Sequence, residues 1–136
     1  MFGIGKTAKA KAACIDALQP FVVRPALIGP WPLQFWQDPF VMGFVMGIIG
    51  LMTQISSKEK LGTEQRGRVL IDTLRAVGAD STNFMDRVSN LTLRQKVDYN
   101  QGLFNADKVV TYVLDLSPMH GDPDVAKASE WLLLRH

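Results

Sequence analysis

Apolar residues recur along most of the chain with the three-to-four-residue period of an amphipathic helix. Leu70, Leu74 and Val77 form one such stripe. Residues at this spacing share one face of a helix, so each periodic segment is expected to bury one side against its neighbours. No stretch alternates for long between polar and apolar residues, as a half-buried strand would. The pattern predicts an all-α fold, a compact bundle of roughly six helices with one irregular arm, in a single helical domain over residues 1–136.

The first predicted helix runs from Ile4 to Gln19, with Ala8, Ile15 and Leu18 on its apolar side. Pro20 is expected to end it, because proline has no backbone N–H and its ring clashes with the preceding turn.

A proline- and aromatic-rich arm is predicted at about residues 20–38. Its prolines disfavour the helical conformation in the residues before them, so the arm is expected to be extended. Trp31, Phe35 and Trp36 would form an exposed apolar patch here unless they lay against other apolar surface. We therefore expect these three residues at an interface or in an apolar groove.

The run FVMGFVMGIIGLM, residues 40–52, has no polar side chain and contains three glycines. Asp38 suits the N-cap and Pro39 the first helical position, which predicts a helix at about 39–55. A helix that is apolar on every side must be covered on every side, so this helix is expected at the centre of the bundle.

Gly43, Gly47, Gly50 and Gln54 follow the spacing i, i+4, i+7, i+11 and form one smooth stripe on this central helix. Each glycine lowers helix stability by about 1 kcal/mol relative to alanine. Close approach of a second helix, an apolar ligand or the aromatic arm would offset that loss, and the pattern leaves all three open. The stripe is a candidate interface or apolar groove.

Capping residues place the later helices. The N-cap candidates are Ser56 (with Glu59 at capping-box spacing), Thr92, Asn105 and Asp122, and a further helix is expected after Asp80 and Ser81. Gly78 is expected to stop the first of these helices, and the last is expected to end at Leu134. Leu93, Val97 and Phe104 are predicted as the apolar face of the helix that Thr92 begins.

Composition narrows the class of protein. A content of 47% hydrophobic and 21% charged residues is that of a globular chain, and a net charge of +2 is too small to indicate a nucleic-acid partner. Cys14 is the only cysteine, which rules out an internal disulfide and favours a reducing compartment. The N-terminal segment lacks the apolar middle of a signal peptide. A cytoplasmic location is therefore expected, with the inner face of a membrane as the alternative.

A membrane contact has some support. Pro39 to Met52 is 14 residues without a polar side chain, whereas a span needs about 20. Trp31 and Trp36 before this run, and two lysines after it, resemble interfacial anchors. The shortness of the run favours a buried core helix over a transmembrane one.

Polar chemistry is sparse. His120, Asp122 and Asp124 are the best candidates for a polar site, but helix capping and the helix dipole already explain both carboxylates. Cys14 is expected to be a small buried hydrophobe. No catalytic residue, metal site or cofactor is predicted.

Three functions remain open. The leading one is a non-enzymatic helical interaction or scaffold protein that forms a homo-oligomer, with a dimer as the first expectation. The second is a peripheral membrane or lipid-binding protein that uses the glycine-rich helix. The third is a small metal-binding protein or enzyme built around His120.

Overall fold

The computed structural model describes residues 2–22, 28, 31–56 and 61–115, and every regular element within them is an α-helix. The six helices are α1 (Phe2–Val22), α2 (Leu33–Trp36), α3 (Pro39–Ser56), α4 (Thr63–Ala76), α5 (Ser81–Ser89) and α6 (Leu93–Asp115). They pack on one another as a bundle, which confirms the predicted all-α class.

Helix α3 lies at the centre and contacts each of the other five described helices, most extensively α6. Phe44 and Ile48 are completely buried, and Met46 is half-buried. The helix begins as predicted, because the Asp38 carboxylate accepts a hydrogen bond from the Phe40 amide at 3.0 Å. An all-apolar helix is stable in this position because its neighbours remove it from water.

Helix α1 differs from its prediction in two ways. It continues through Pro20 to Val22, so the expectation that proline ends the helix at Gln19 is wrong. Proline removes a single intrahelical hydrogen bond, and burial of Val22 helps to hold the last turn in place. The buried face is also different: Ala8 is exposed and Ile15 half-buried, and the core residues are Ala10, Cys14, Leu18 and Val22.

The arm contains a helix that was not expected. Pro32 precedes α2, and its carbonyl accepts a hydrogen bond from the Phe35 amide at 3.0 Å. No proline interrupts residues 33–38, so this part of the arm can form one helical turn, which corrects the expectation of a wholly extended segment.

Helix α4 ends as predicted but begins later. Gly78 has φ = 97°, and Ala79 donates a hydrogen bond to the Leu74 carbonyl at 2.9 Å, the arrangement of a glycine-terminated helix. Ser56 is the last residue of α3, so its assignment as the N-cap of this helix is wrong. Gly62 takes that position, with its amide donating to Gln65 Oε1 at 3.0 Å.

Helix α6 begins at its predicted cap, Thr92, and α5 begins after Asp80, where a helix was expected. Asp80 accepts from the Asn83 amide at 3.1 Å, and Thr92 and Gln95 exchange hydrogen bonds of 2.9 and 3.2 Å. Asn105, however, does not begin a new helix. It lies inside the continuous α6, buried, with its side-chain amide donating to the Gln101 carbonyl at 2.8 Å. The predicted helix from Asp122 to Leu134 lies outside the described residues.

The contact between α3 and α6 is a close backbone crossing. A methyl group on Gly43 would overlap the Tyr99 carbonyl, and one on Gly102 would lie 2.6 Å from the Phe44 amide nitrogen. One turn further along, a methyl group on Gly47 would lie 2.6 Å from Ala106 Cβ. Each helix therefore presents two small residues, four positions apart, to the other. Of the three possible neighbours of the glycine stripe, the structure places a second helix against Gly43 and Gly47.

Alanine substitutions along the stripe separate packing from helix propensity. We expect Gly43→Ala to lower the free energy of unfolding by about 1–3 kcal/mol, because the added methyl meets backbone that has no room to relax. Gly50→Ala is the matched control: no neighbouring atom lies within 4 Å of the added methyl, so helix propensity alone should raise stability by up to about 1 kcal/mol. Urea unfolding followed by circular dichroism measures both. Equal gains at the two positions would contradict a close α3–α6 crossing.

Candidate functional site

The aromatic residues of the arm lie against the chain itself. The Trp31 ring stacks on Phe35 with centroids 4.1 Å apart, and its indole N–H donates to the Val22 carbonyl at 2.7 Å. Phe35 meets Trp36 edge-on at 4.9 Å, and both are buried in the core. Of the three, only the half-buried Trp31 retains appreciable exposure for a second molecule. Their role at an interface stays a prediction.

The remainder of the glycine stripe faces a groove. A methyl group added to Gly50 on α3, or to Gly67 on α4, would have no neighbouring atom within 4 Å, and both glycines line a half-open cavity of about 310 Å³ between the two helices. The other lining residues are Met46, Ile49, Thr53, Thr63, Arg66 and Leu70. Gln54 is exposed on α3 and does not line the groove. Gly43 and Gly47 of the stripe thus pack against α6, whereas Gly50 faces the open space of the groove.

The described residues that line the groove are mostly apolar, and one of them is charged. Of the described residues that line it, Arg66 alone is ionisable, and it forms no ion pair with any other described residue. Thr63, the first residue of α4, lines the same cavity. Glu64, the acidic residue in that first turn, does not. Arg66 and the N-terminal end of α4 therefore both contribute positive charge to the groove.

A small polar cluster is buried where α1, α3 and α4 meet. The Cys14 thiol lies 3.5 Å from the Ile49 carbonyl, to which it donates, and 3.5 Å from Thr53 Oγ1. The Thr53 hydroxyl donates to the Ile49 carbonyl at 2.6 Å. The fully buried Thr73 hydroxyl has no hydrogen-bond partner among the described residues, although it is near enough to influence the thiol.

Burial raises the pKa of the Cys14 thiol, an effect that the nearby Thr53 and Thr73 hydroxyls reduce in part. A raised pKa keeps the thiol protonated, which is the opposite of what a nucleophilic cysteine requires. The cluster is therefore part of the core, as expected for Cys14.

A second, polar groove of about 290 Å³ lies beside α5, lined mainly by amide and charged side chains. Asn90 spans part of it, donating from its side chain to the Asp86 carbonyl at 2.7 Å. Asp86 and Arg87 are adjacent there, so opposite charges neighbour each other. No pair of carboxylates and no histidine is among the described residues that line this groove, and these residues do not form an acid–base pair.

The outward face of α6 carries an exposed apolar stripe. Leu93, Val97 and Phe104 are 84%, 68% and 50% exposed, so the prediction that they form the buried face is wrong. The helix buries its opposite side, on which Gly102, Ala106 and other small or branched residues meet α3. The size of the side chains determines which face of α6 is buried, because only the small residues allow the close crossing with α3.

His120, Asp122 and Asp124 lie outside the described residues. Within the described part of the chain, no group of three histidine, cysteine or acidic side chains is arranged to hold a metal ion.

Comparison with known proteins gives no relative: no protein-family model, curated protein or solved structure matches this chain. Among the described helices, α3 alone has the length and apolar composition to cross a membrane, and half of that segment is buried inside the chain. The core helix of a soluble protein meets the same criterion.

The buried environment of Cys14 should make its thiol unreactive in the folded protein. At neutral pH we expect a thiol-specific reagent to label the folded protein slowly, because the thiol is buried and its raised pKa disfavours the thiolate. Addition of urea should restore the rate of an ordinary free cysteine. Absorbance of the released chromophore measures the rate, and Cys14→Ala provides the blank. Rapid labelling of the folded chain would contradict the core position.

The raised pKa of the Cys14 thiol also affects how the stability of the protein depends on pH. The folded state holds the thiol proton to higher pH than the unfolded chain does, so this contribution to stability is complete below the unfolded pKa and is lost as pH rises through the folded value. We therefore expect the alkaline decline in unfolding free energy to be shallower in Cys14→Ala, as measured by urea unfolding between neutral pH and pH about 10. Identical pH profiles for the two proteins would contradict it.

Proposed function

We propose that this protein is a non-enzymatic helical interaction protein that pairs with a second copy of itself through the outward face of α6. The observation that carries this proposal is the exposed stripe of Leu93, Val97 and Phe104. The side chain opposite the buried face of a surface helix is usually polar, so three large apolar residues in line on that face favour a protein partner.

The spacing of the stripe favours another helix as the partner. Leu93, Val97, Asn100, Phe104 and Asp107 follow the alternation of four and three residues that forms the seam of a coiled coil. A polar residue such as Asn100 within an otherwise apolar seam is a known means of fixing register between paired helices.

An antiparallel pair of α6 helices accommodates these residues. With the two-fold axis at Asn100, Val97 lies about 4.5 Å from the axis in one direction and Phe104 about 6 Å in the other. Val97 of one copy then lies almost level with Phe104 of the second copy, and the two Asn100 side chains meet across the axis. The same surface serves both copies, as a symmetric dimer requires.

A peripheral membrane protein is the second candidate, favoured by the charges beside the stripe. Arg94, Lys96 and Lys108 flank it, and Lys108 Nζ lies 5.5 Å from the centre of the Phe104 ring. Apolar residues bordered by cations are typical of helices that lie on anionic membranes. Asp98 and Asp107 on the same helix weaken that attraction, so the pairing of two copies ranks first.

A site around His120 ranks last, and a cytoplasmic location accords with the reduced Cys14.

Substitution of Val97 by glutamate tests the dimer. Wild-type protein is expected to elute with twice the chain mass of 15.1 kDa, and Val97→Glu with the chain mass, because pairing would bury an unpaired charge. Gel filtration with light scattering measures the mass. Val97 is 68% exposed, so the variant should fold, which circular dichroism checks.

Leu33→Glu is the matched control, since it places the same charge on an exposed leucine of the arm. It should leave the mass unchanged. Loss of the dimer in Leu33→Glu but not in Val97→Glu would move the interface to the arm, and a monomeric wild-type protein would refute the proposal. Sedimentation of wild-type protein with vesicles of anionic phospholipid, lost in Val97→Glu, would favour the membrane candidate.

A further inference from the structure

We infer that the groove between α3 and α4 binds a small single-chain amphiphile with an anionic head group, such as a medium-chain carboxylate. Such binding is independent of how α6 pairs, because none of the residues of the α6 stripe lines this groove.

The groove offers open space from both of its walls. Gly50 and Gly67 lie on different helices, yet both face the same cavity, and a methyl group added to either would have no neighbouring atom within 4 Å. Two residues without side chains thus line a groove in which the methyl group of alanine would fit sterically. Glycine inside a helix lowers stability by about 1 kcal/mol relative to alanine, and no close helix contact explains the loss at either position.

The walls of the groove combine apolar surface with one cation. Met46, Ile49 and Leu70 supply the apolar surface, and the methionine can adjust its shape to a flexible chain. Among the described residues that line the groove, Arg66 alone is ionisable; its side chain is exposed and has no ion-pair partner in the described part of the chain. A ligand with an apolar chain and one carboxylate or phosphate would satisfy both parts, because the guanidinium binds such groups through paired hydrogen bonds.

The size of the groove identifies the source of the ligand. A cavity of about 310 Å³ is at the lower end of the range for small-molecule sites. At about 30 Å³ for each heavy atom, the volume share of a water molecule, it holds roughly ten. That suits a single chain of about ten carbons and is too little for the two tails of a bilayer phospholipid. The occupant is therefore a free amphiphile.

Decanoate, kept below its micellar concentration, is the probe. Isothermal titration calorimetry of the full chain should show one site, and decanol and decyltrimethylammonium should bind at least about tenfold more weakly, because neither carries a negative charge for Arg66. Absence of decanoate binding at millimolar concentration, or equal binding of all three compounds, would overturn the proposal.

Two pairs of variants locate the site. Gly50→Leu fills the groove and should weaken decanoate binding by about tenfold or more, whereas Gln54→Leu, one turn further along α3 and outside the groove, should not. Gly67→Leu repeats the test from α4. Arg66→Gln should weaken decanoate binding by about tenfold and leave decanol unaffected, and Arg68→Gln, exposed on the same helix, is its control.

The remaining outcomes are decisive as well. Unchanged decanoate binding in both Gly50→Leu and Gly67→Leu would overturn the assignment of the groove. A fall in oligomer mass in Gly50→Leu would show that the groove receives a second copy of the chain. Sedimentation with anionic vesicles that Gly50→Leu abolishes would show a bilayer lipid as the occupant. Either result would refute the free amphiphile, whereas loss of the dimer in Val97→Glu alone would leave it standing.

Discussion

The bundle depends on one contact, the backbone crossing of α3 and α6. A helix with glycines at Gly43 and Gly47 is a poor helix in isolation, since each glycine is about 1 kcal/mol less favourable than alanine. The crossing brings the carbonyl of Tyr99 against Gly43 and the backbone of Phe44 against Gly102, which no larger residue would permit. Close approach increases the number of dispersion contacts along both helices, and this gain offsets the weak intrinsic helicity of α3.

The crossing of α3 and α6 also determines which surface of α3 the other helices can cover. With one side of α3 occupied by α6, its remaining apolar surface is available to α1 and α4, which both pack against it. Cys14 of α1 contacts Ile49 and Thr53 on this surface, and Leu18 of α1 and Leu74 of α4 belong to the same buried core. The side chains of α1 and α4 do not close over Gly50, where the groove remains. The groove thus begins at the point along α3 where the glycine contact with α6 ends.

Local signals in the sequence predicted helix ends better than they predicted helix faces. Asp38 and Thr92 act as the predicted caps because a short polar side chain satisfies free amides within its own turn, which requires no knowledge of the fold. Asn105 has the same capping chemistry but sits within a continuous helix, where packing against α3 outweighs the preference of asparagine for helix ends. Tertiary contact of this kind has no local sequence signal.

Helix α6 shows that local sequence signals also fail to predict which face of a helix is buried. It has two apolar stripes, and hydrophobicity alone does not exclude burial of the one with Leu93, Val97 and Phe104. The fold buries the other, with Gly102 and Ala106. The available signal for that choice is the spacing of small residues by four positions, which is present on both α3 and α6. On α3 alone this spacing predicts a close neighbour without identifying it, and only the matching pair of Gly102 and Ala106 indicates that the neighbour is α6.

The glycine at the groove end of the stripe, Gly50, needs a different explanation from Gly43 and Gly47, which pack against α6. At Gly43 and Gly47 the absence of a side chain is a requirement of the crossing, so stability explains the residue. At Gly50 and Gly67 the surrounding space would accept a methyl group, and alanine would give a more stable helix. Stability alone does not explain glycine at two facing positions that share one cavity. A requirement for open space between α3 and α4 does, and the guanidinium of Arg66, without an ion-pair partner among the described residues, gives that space a chemical preference.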